Sequence, residues 1–226
     1  MAIVIILCSH SYGSEAFLRD DFNNLDNCKP LYFPGIKKHS TYSIVRDGGE
    51  SYLRAESISS ASGIVLKKEF NVFEYPMVKW RWKISNVYQR GNARKKSGDD
   101  YPMRIYIIFK YDPEKASFGQ KLRYGIARKI YGEYPPHSSL NYIWANMEHD
   151  ERILVNAYAN ESKMVILQSG SENAGKWIDQ EVNILKDYHE AFGEDPPATA
   201  NLAIMSDSDN TGESAVSLMD FIEVYR

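Results

Sequence analysis

Cations and aromatics recur at every second position in two stretches of this chain, and that spacing gathers them onto shared faces. In VKWRWKI, residues 78–84, Lys79, Arg81 and Lys83 fall on one side while Trp80, Trp82 and Ile84 fall on the other. In RIYIIF, residues 104–109, Arg104, Tyr106 and Ile108 oppose Ile105, Ile107 and Phe109. Tyr52, Arg54 and Glu56 alternate with Leu53, Ala55 and Ser57 in the same style. Side chains alternate across a strand, so each stretch offers one face to a core and one to water. If the three strands share a sheet, Arg54, Glu56, Arg81, Lys83, Arg104 and Tyr106 form a single polar patch. The planar paired donors of Arg suit the carboxylates or hydroxyls of a polysaccharide. The competing reading is a solvated face whose opposite charges pair across strands for roughly 0.2–1 kcal/mol each.

Four tryptophans could stack on sugar rings. Trp80 and Trp82 sit among Val78 and Ile84 and are expected in the core. Trp144 and Trp177 have less apolar flanks and are expected nearer a ligand. The acidic residues come next. Asp99 and Asp100 precede the Arg104 strand and could orient Arg104 or Arg81. Adjacent strand residues point to opposite faces, which argues against a paired acid–base role and lowers a glycosidase reading. In SDSDNTG, residues 206–212, the oxygens of Asp207, Asp209 and Asn210 suit a hard cation such as Ca²⁺. The loop lacks the distant bidentate Glu of an EF-hand, and the same residue types also build ordinary turns. Beyond that structural Ca²⁺ no cofactor is expected.

Other catalytic signatures are missing from the sequence. His10, His39, His137, His149 and His189 have no metal-ligand spacing, and there is neither a nucleophile elbow nor a phosphate-cradling glycine loop. Cys28 lacks a Cys/His/Asn set to activate it and reads as a bystander. A net charge of −3 argues against nucleic acid as a general partner. The apolar run from Ala2 to Cys8, followed by small polar residues, reads as a signal peptide over 1–13 whose basic start is missing; a buried first strand is the alternative. The run is too short to span a membrane. The remainder, 14–226, reads as one monomeric domain.

Short strands are expected at 41–45, 51–57, 63–70, 77–84, 104–111, 141–145, 152–158, 163–169, 181–185, 201–206 and 215–225. Turn chemistry such as Asp47-Gly48-Gly49 and Asp209-Asn210-Thr211-Gly212 separates them. Helices are expected at 116–130 and 186–192, the second stopped by Gly193. Many short strands with such punctuation predict an all-β sandwich or jelly roll, concanavalin-like or galactose-binding-like, with one or two short helices.

Taken in order, WRWKI, GDDYPMRIYIIF, LNYIWA, the Trp177-to-Gly193 stretch and IMSDSDNTG resemble a bacterial exported-protein family catalogued as a domain of unknown function. The resemblance runs from about Phe33 to the C-terminus. It implies a periplasmic or secreted β-sandwich similar to carbohydrate-binding domains. Its motif positions are Trp80, Arg81, Trp82, Asp99, Asp100, Arg104, Tyr106, Trp144, Asp187, Asp207, Asp209, Asn210 and Thr211. The resulting expectation is non-catalytic binding of a glycan or other polar ligand on a charged sheet face, at Arg54, Glu56, Arg81, Lys83, Asp99, Asp100, Arg104, Tyr106 and Trp144. The alternatives are a polysaccharide lyase or glycoside hydrolase, and an envelope structural or interaction protein. The binding expectation includes that Arg81→Ala or Arg104→Ala removes binding while the melting temperature moves little.

Overall fold

The structure, a computed structural model, describes residues 15–114 and 135–226. The leader at 1–13 and the helix expected at 116–130 lie outside the described residues. Two sheets stack face to face. The six-stranded sheet runs β12 (Ile178–Asn183), β7 (Met77–Ile84), β14 (Ser214–Tyr225), β4 (Glu50–Ile58), β3 (Thr41–Asp47), with β1 (Ala16–Asp20) beside the far half of β14. The eight-stranded sheet runs β10 (Ile153–Val155), β11 (Ser162–Ser169), β9 (Ser138–Ala145), β8 (Arg104–Phe109), β13 (Thr199–Asp207), β5 (Ala61–Leu66), β2 (Cys28–Leu31), with β6 (Phe70–Asn71) on β13. Pairing is antiparallel except between β9 and β11. This is the expected all-β sandwich. Among the described residues no helix is long and apolar enough to cross a membrane.

Strict alternation does what it should. Val78, Trp80, Trp82 and Ile84 are all fully buried on β7, and Ile105, Ile107 and Phe109 are fully buried on β8. Aromatic contacts clamp the sheets together: Trp80 lies 5.7 Å from Tyr142 and Trp82 lies 5.8 Å from Trp144, ring centre to ring centre. Trp144 therefore belongs to the core, contrary to the expectation that it reaches a ligand. It is fully buried, and its indole N–H donates to the Gly170 carbonyl at 3.0 Å. The LNYIWA flanks mislead because Asn141 and Ile143 occupy the outer side of β9 while Tyr142 and Trp144 take the inner side.

Strand boundaries shift where local chemistry overrides periodicity. The stretch expected at 63–70 divides into β5 and β6, with charged Lys67 and Lys68 between them. The strand expected at 181–185 starts earlier and ends at Asn183, whose side chain accepts the Lys186 N–H at 3.0 Å and caps a helix, α1 (Ile184–Phe192). Gly193 closes α1 in a left-handed conformation, φ 74°, with its N–H on the His189 carbonyl. Asp187 on this helix accepts from the Tyr142 hydroxyl at 3.0 Å and from Arg152 at 2.7 Å, so that motif position is a fastening between helix and sheet. β2 went unread because Pro30 has no N–H to give, which suits the sheet edge that it occupies. A bulge between Met219 and Phe221 lets one long strand, β14, serve β4 with its first half and β1 with its second.

Trp82→Ala should lose about 3–5 kcal/mol of unfolding free energy, whereas Lys83→Ala, its neighbour on the outer side, should stay within about 0.5 kcal/mol. Urea denaturation of the two variants measures this, and comparable losses would refute the inside–outside assignment of β7.

Candidate functional site

The polar patch expected across three strands divides between two opposite surfaces. β4 and β7 lie in the six-stranded sheet, while β8 lies in the other. Because the inner faces meet in the core, Arg54, Glu56, Arg81 and Lys83 point out on one side of the sandwich and Arg104 and Tyr106 on the other. The first group is largely self-satisfied. Arg54 pairs with Glu56 at 2.9 Å, Arg81 with Asp220 at 3.3 Å, and Lys79 with Glu223 at 3.2 Å. Trp177 lies there too, 5.1 Å from Tyr52 and beneath the cations of Arg81 and Lys83. That surface matches the solvated, cross-paired reading, and the correction is that it does not share one patch with Arg104 and Tyr106.

The second group lines a cleft of 340 Å³ on the outer face of the eight-stranded sheet. Its floor is Arg104 and Tyr106 from β8 with Met205 and Asp207 from β13, strands in register so that Met205 sits opposite Arg104. One wall is the segment after β2, with Phe33, Pro34 and Ile36. The facing wall is the β10–β11 connection, with Asn156 and Tyr158, and acidic loops supply Asp99, Asp209 and Asn210. Tyr158 reaches from one wall to a loop, donating its hydroxyl to Asn210 Oδ1 at 2.6 Å.

Arg104 is the centre of this arrangement. It is 4% exposed and lies 5.0 Å and 5.4 Å from the ring centres of Tyr101 and Tyr106. Nη2 donates to Asp207 Oδ2 at 2.5 Å, and Nη1 lies 3.5 Å from Asp99 Oδ1 at ion-pair distance without hydrogen-bond geometry. Nε and Nη1 therefore remain buried donors with no hydrogen-bond acceptor. A buried donor left in that state costs about 1–3 kcal/mol, more for a charged group. Burial means that Arg104→Ala would strand two carboxylates, so the expectation that its melting temperature barely moves is corrected: breaking such a pair costs about 3–5 kcal/mol.

Asp99 and Asp100, which follow the short 3-10 turn at Lys96–Gly98, divide their work. Asp99 faces the cleft and accepts from Asn156 Nδ2 at 3.0 Å. Asp100 turns away and gathers the 208–212 loop, accepting from Asn210 N at 3.3 Å, Asn210 Nδ2 at 3.0 Å and Thr211 N at 2.6 Å. Asp100 is thus an internal anchor. The cation set expected at Asp207, Asp209 and Asn210 changes in membership. Asn210 has its side-chain oxygen on Tyr158, while carboxylate oxygens of Asp100, Asp207 and Asp209 lie within 4.8 Å of one another. Of this set, Asp207 is already paired with Arg104.

Electrostatics follow from this crowding. Burial pushes the Asp207 carboxyl well above the usual carboxylate range against the pull of Arg104, and Asp100, Asp99 and Asp209 add to the push. Asp209 is also raised, by burial and then by Asp100. Burial pushes the Cys28 thiol up to about 11, the wrong direction for a nucleophile. Phe33, Asn156, Tyr158 and Met205 were not read as site residues. Phe33, Asn156 and Tyr158 lie on connections, and Met205, although inside the IMSDSDNTG motif, carries no polar group to single it out.

The chain belongs to a protein family of unknown function: the family described as "protein of unknown function (DUF3047)" matches residues 26–223. No functionally curated protein matches it. Among solved structures, a family 11 carbohydrate-binding module from Clostridium thermocellum, in complex with a β-1,3-1,4-mixed-linked tetrasaccharide, is similar over 93% of this chain and 95% of its own, at 12% identity and TM-score 0.43. Endoglucanase 3 of Trichoderma harzianum, family GH12, is similar over 83% of this chain and 85% of its own, at 5% identity and TM-score 0.41. The enzymatically active domain of a bacteriophage CBA120 tailspike is similar over 91% of this chain at 7% identity and TM-score 0.42, and this chain spans 20% of that one. Scores and identities this low say nothing about a ligand.

Asp209 supplies a pH test. Its carboxyl holds a proton more tightly folded than unfolded, so ionising it as pH rises from the unfolded aspartate value of about 3.9 destabilises the fold until the raised folded value is passed. Asp209→Asn should therefore melt above the parent at pH 7 and level with it near pH 3. Thermal melts across that range measure the difference, and a variant less stable at pH 7 would reverse the assignment.

Proposed function

We propose that this chain is a non-catalytic binding protein that holds a carbohydrate, or a similarly hydroxyl-rich polar ligand, in the cleft over β8 and β13. The observation that carries the reading is Arg104, a deeply buried guanidinium lining the cleft with Nε and Nη1 lacking hydrogen-bond acceptors. Neighbouring acceptors on Asp99, Asp207 and Asp209 complement those donors, and a sugar hydroxyl both donates and accepts. The rings of Phe33, Tyr106 and Tyr158 add the apolar surface that the C–H faces of a sugar favour. A cavity of this volume lies at the small end of ligand sites, suited to a short segment and not to a long chain buried along its length.

Binding without catalysis suits the other duties of the acids. Asp99 and Asp207 are engaged with Arg104, and Asp100 holds a loop. A uronate-cleaving lyase fits poorly, since the cleft carries more carboxylates than cations. The leader-like residues 1–13 support an exported setting for such a protein.

The test is titration calorimetry of the full chain against oligosaccharides of varied composition, in EDTA and again with Ca²⁺. At least one class should bind, and Arg104→Lys, which keeps the charge beside Asp207 but loses the fork, should weaken it about tenfold or more with the melting temperature held within a few degrees. Absence of binding to every saccharide, or unaltered binding by a folded Arg104→Lys, would defeat the reading. A large Ca²⁺-dependent rise in melting temperature would instead mark Asp100, Asp207 and Asp209 as a cation site.

A further inference from the structure

We infer that the cleft selects a sugar bearing a free amine, with Asp209 as the anchor for the ammonium. This rests on the reading of the cleft as a carbohydrate site and names the class of sugar that it takes. Among the described lining residues, Asp99, Asp207 and Asp209 are matched by one cation, Arg104. Asp100 adds a further carboxylate immediately behind them.

The carboxylates are not equivalent. Asp207 and Asp99 are engaged by Arg104, and Asp100 takes three N–H donors from the 208–212 loop. Asp209 is half-buried on the cleft lining and has no ion-pair partner among the described residues. Lys96, which is exposed, lies 5.2 Å over the Tyr158 ring and has no salt bridge to Asp209 among the described residues. A carboxylate so placed lacks one thing, a cationic hydrogen-bond donor, and a sugar ammonium supplies it with a charge-assisted bond. Arg104 meanwhile offers its unspent donors to hydroxyl oxygens on the same ring, a division of labour that a bare metal ion could not use. A uronate in the same position would meet an uncompensated negative field.

The experiment uses calorimetry on the full chain in EDTA, at a pH where the amine is protonated. It compares a glucosamine oligomer, its N-acetylated counterpart, a glucose oligomer and a galacturonate oligomer, with a lysine-rich peptide as a further arm. The amine-bearing oligomer should bind at least about tenfold tighter than the N-acetylated one, equivalent to ~1.4 kcal/mol, with galacturonate weakest. Asp209→Asn should erase that preference while its melting temperature stays at or above the parent's, and Asp209→Glu should retain part of it. Raising the salt concentration should narrow the gap. Equal affinity for amine and N-acetyl forms, or tightest binding by galacturonate, overturns the inference and leaves the carbohydrate reading standing. Binding of the peptide with none of the sugars, or of nothing at all, overturns both.

Discussion

A guanidinium buried on the outside of a β-sandwich sets the terms for everything around it. Arg104 stands on a strand whose alternate residues are hydrocarbon, so its position is dictated by Ile105, Ile107 and Phe109 pointing the other way. Removed from water, its charge must be answered by carboxylates at short range. Asp207 from the neighbouring strand and Asp99 from the preceding loop provide that answer. Their presence then creates the next difficulty, since carboxylates crowded together repel one another. Asp100 escapes it by accepting main-chain N–H groups of the 208–212 loop, which at once stabilises the carboxylate and fixes the loop. The pocket is thus a chain of obligations begun by one residue.

The two outer surfaces of the sandwich show how similar compositions lead to different chemistry. On the six-stranded sheet, Arg54, Arg81 and Lys79 find acids on their own or adjacent strands and remain half in water. Such pairs contribute little individually and leave no strong demand for a ligand. On the eight-stranded sheet the segment after β2 and the β10–β11 connection rise as walls, and the buried side chains of the same kinds become expensive to leave unpartnered. Enclosure, and not the number of charges, distinguishes the cleft from the opposite surface.

The sandwich itself rests on the aromatic clamp between the sheets. Trp80 against Tyr142 and Trp82 against Trp144 occupy the interior without room for a second use. Tryptophan is often taken as the mark of a sugar platform, yet three of the four here are core residues, and the fourth, Trp177, lies away from the cleft beside Tyr52. The aromatic lining of the cleft comes instead from Tyr106, Tyr158 and Phe33.

Period-two alternation was written plainly enough to place β4, β7 and β8, because a strand half in a core forces its residues to alternate. It placed Trp80 and Trp82 inside and Arg104 and Tyr106 outside, and the turn chemistry of Asp209 to Gly212 marked a loop. Asn183 and Gly193 bounded the helix between them by local hydrogen bonding, although the cap at Asn183 was visible as such only in the structure. Which sheet each strand joins was decided by tertiary pairing, since alternation is the same whichever neighbour a strand takes. That is why Arg81 and Arg104 looked like companions and stand on opposite sides of the molecule. The role of Asn156 and Tyr158, and the convergence of Asp99, Asp207 and Asp209 on one space, depend on loops distant in sequence meeting across the sheet. Contacts of that kind leave no periodic trace in the chain, because they are set by packing and not by the local geometry of the backbone.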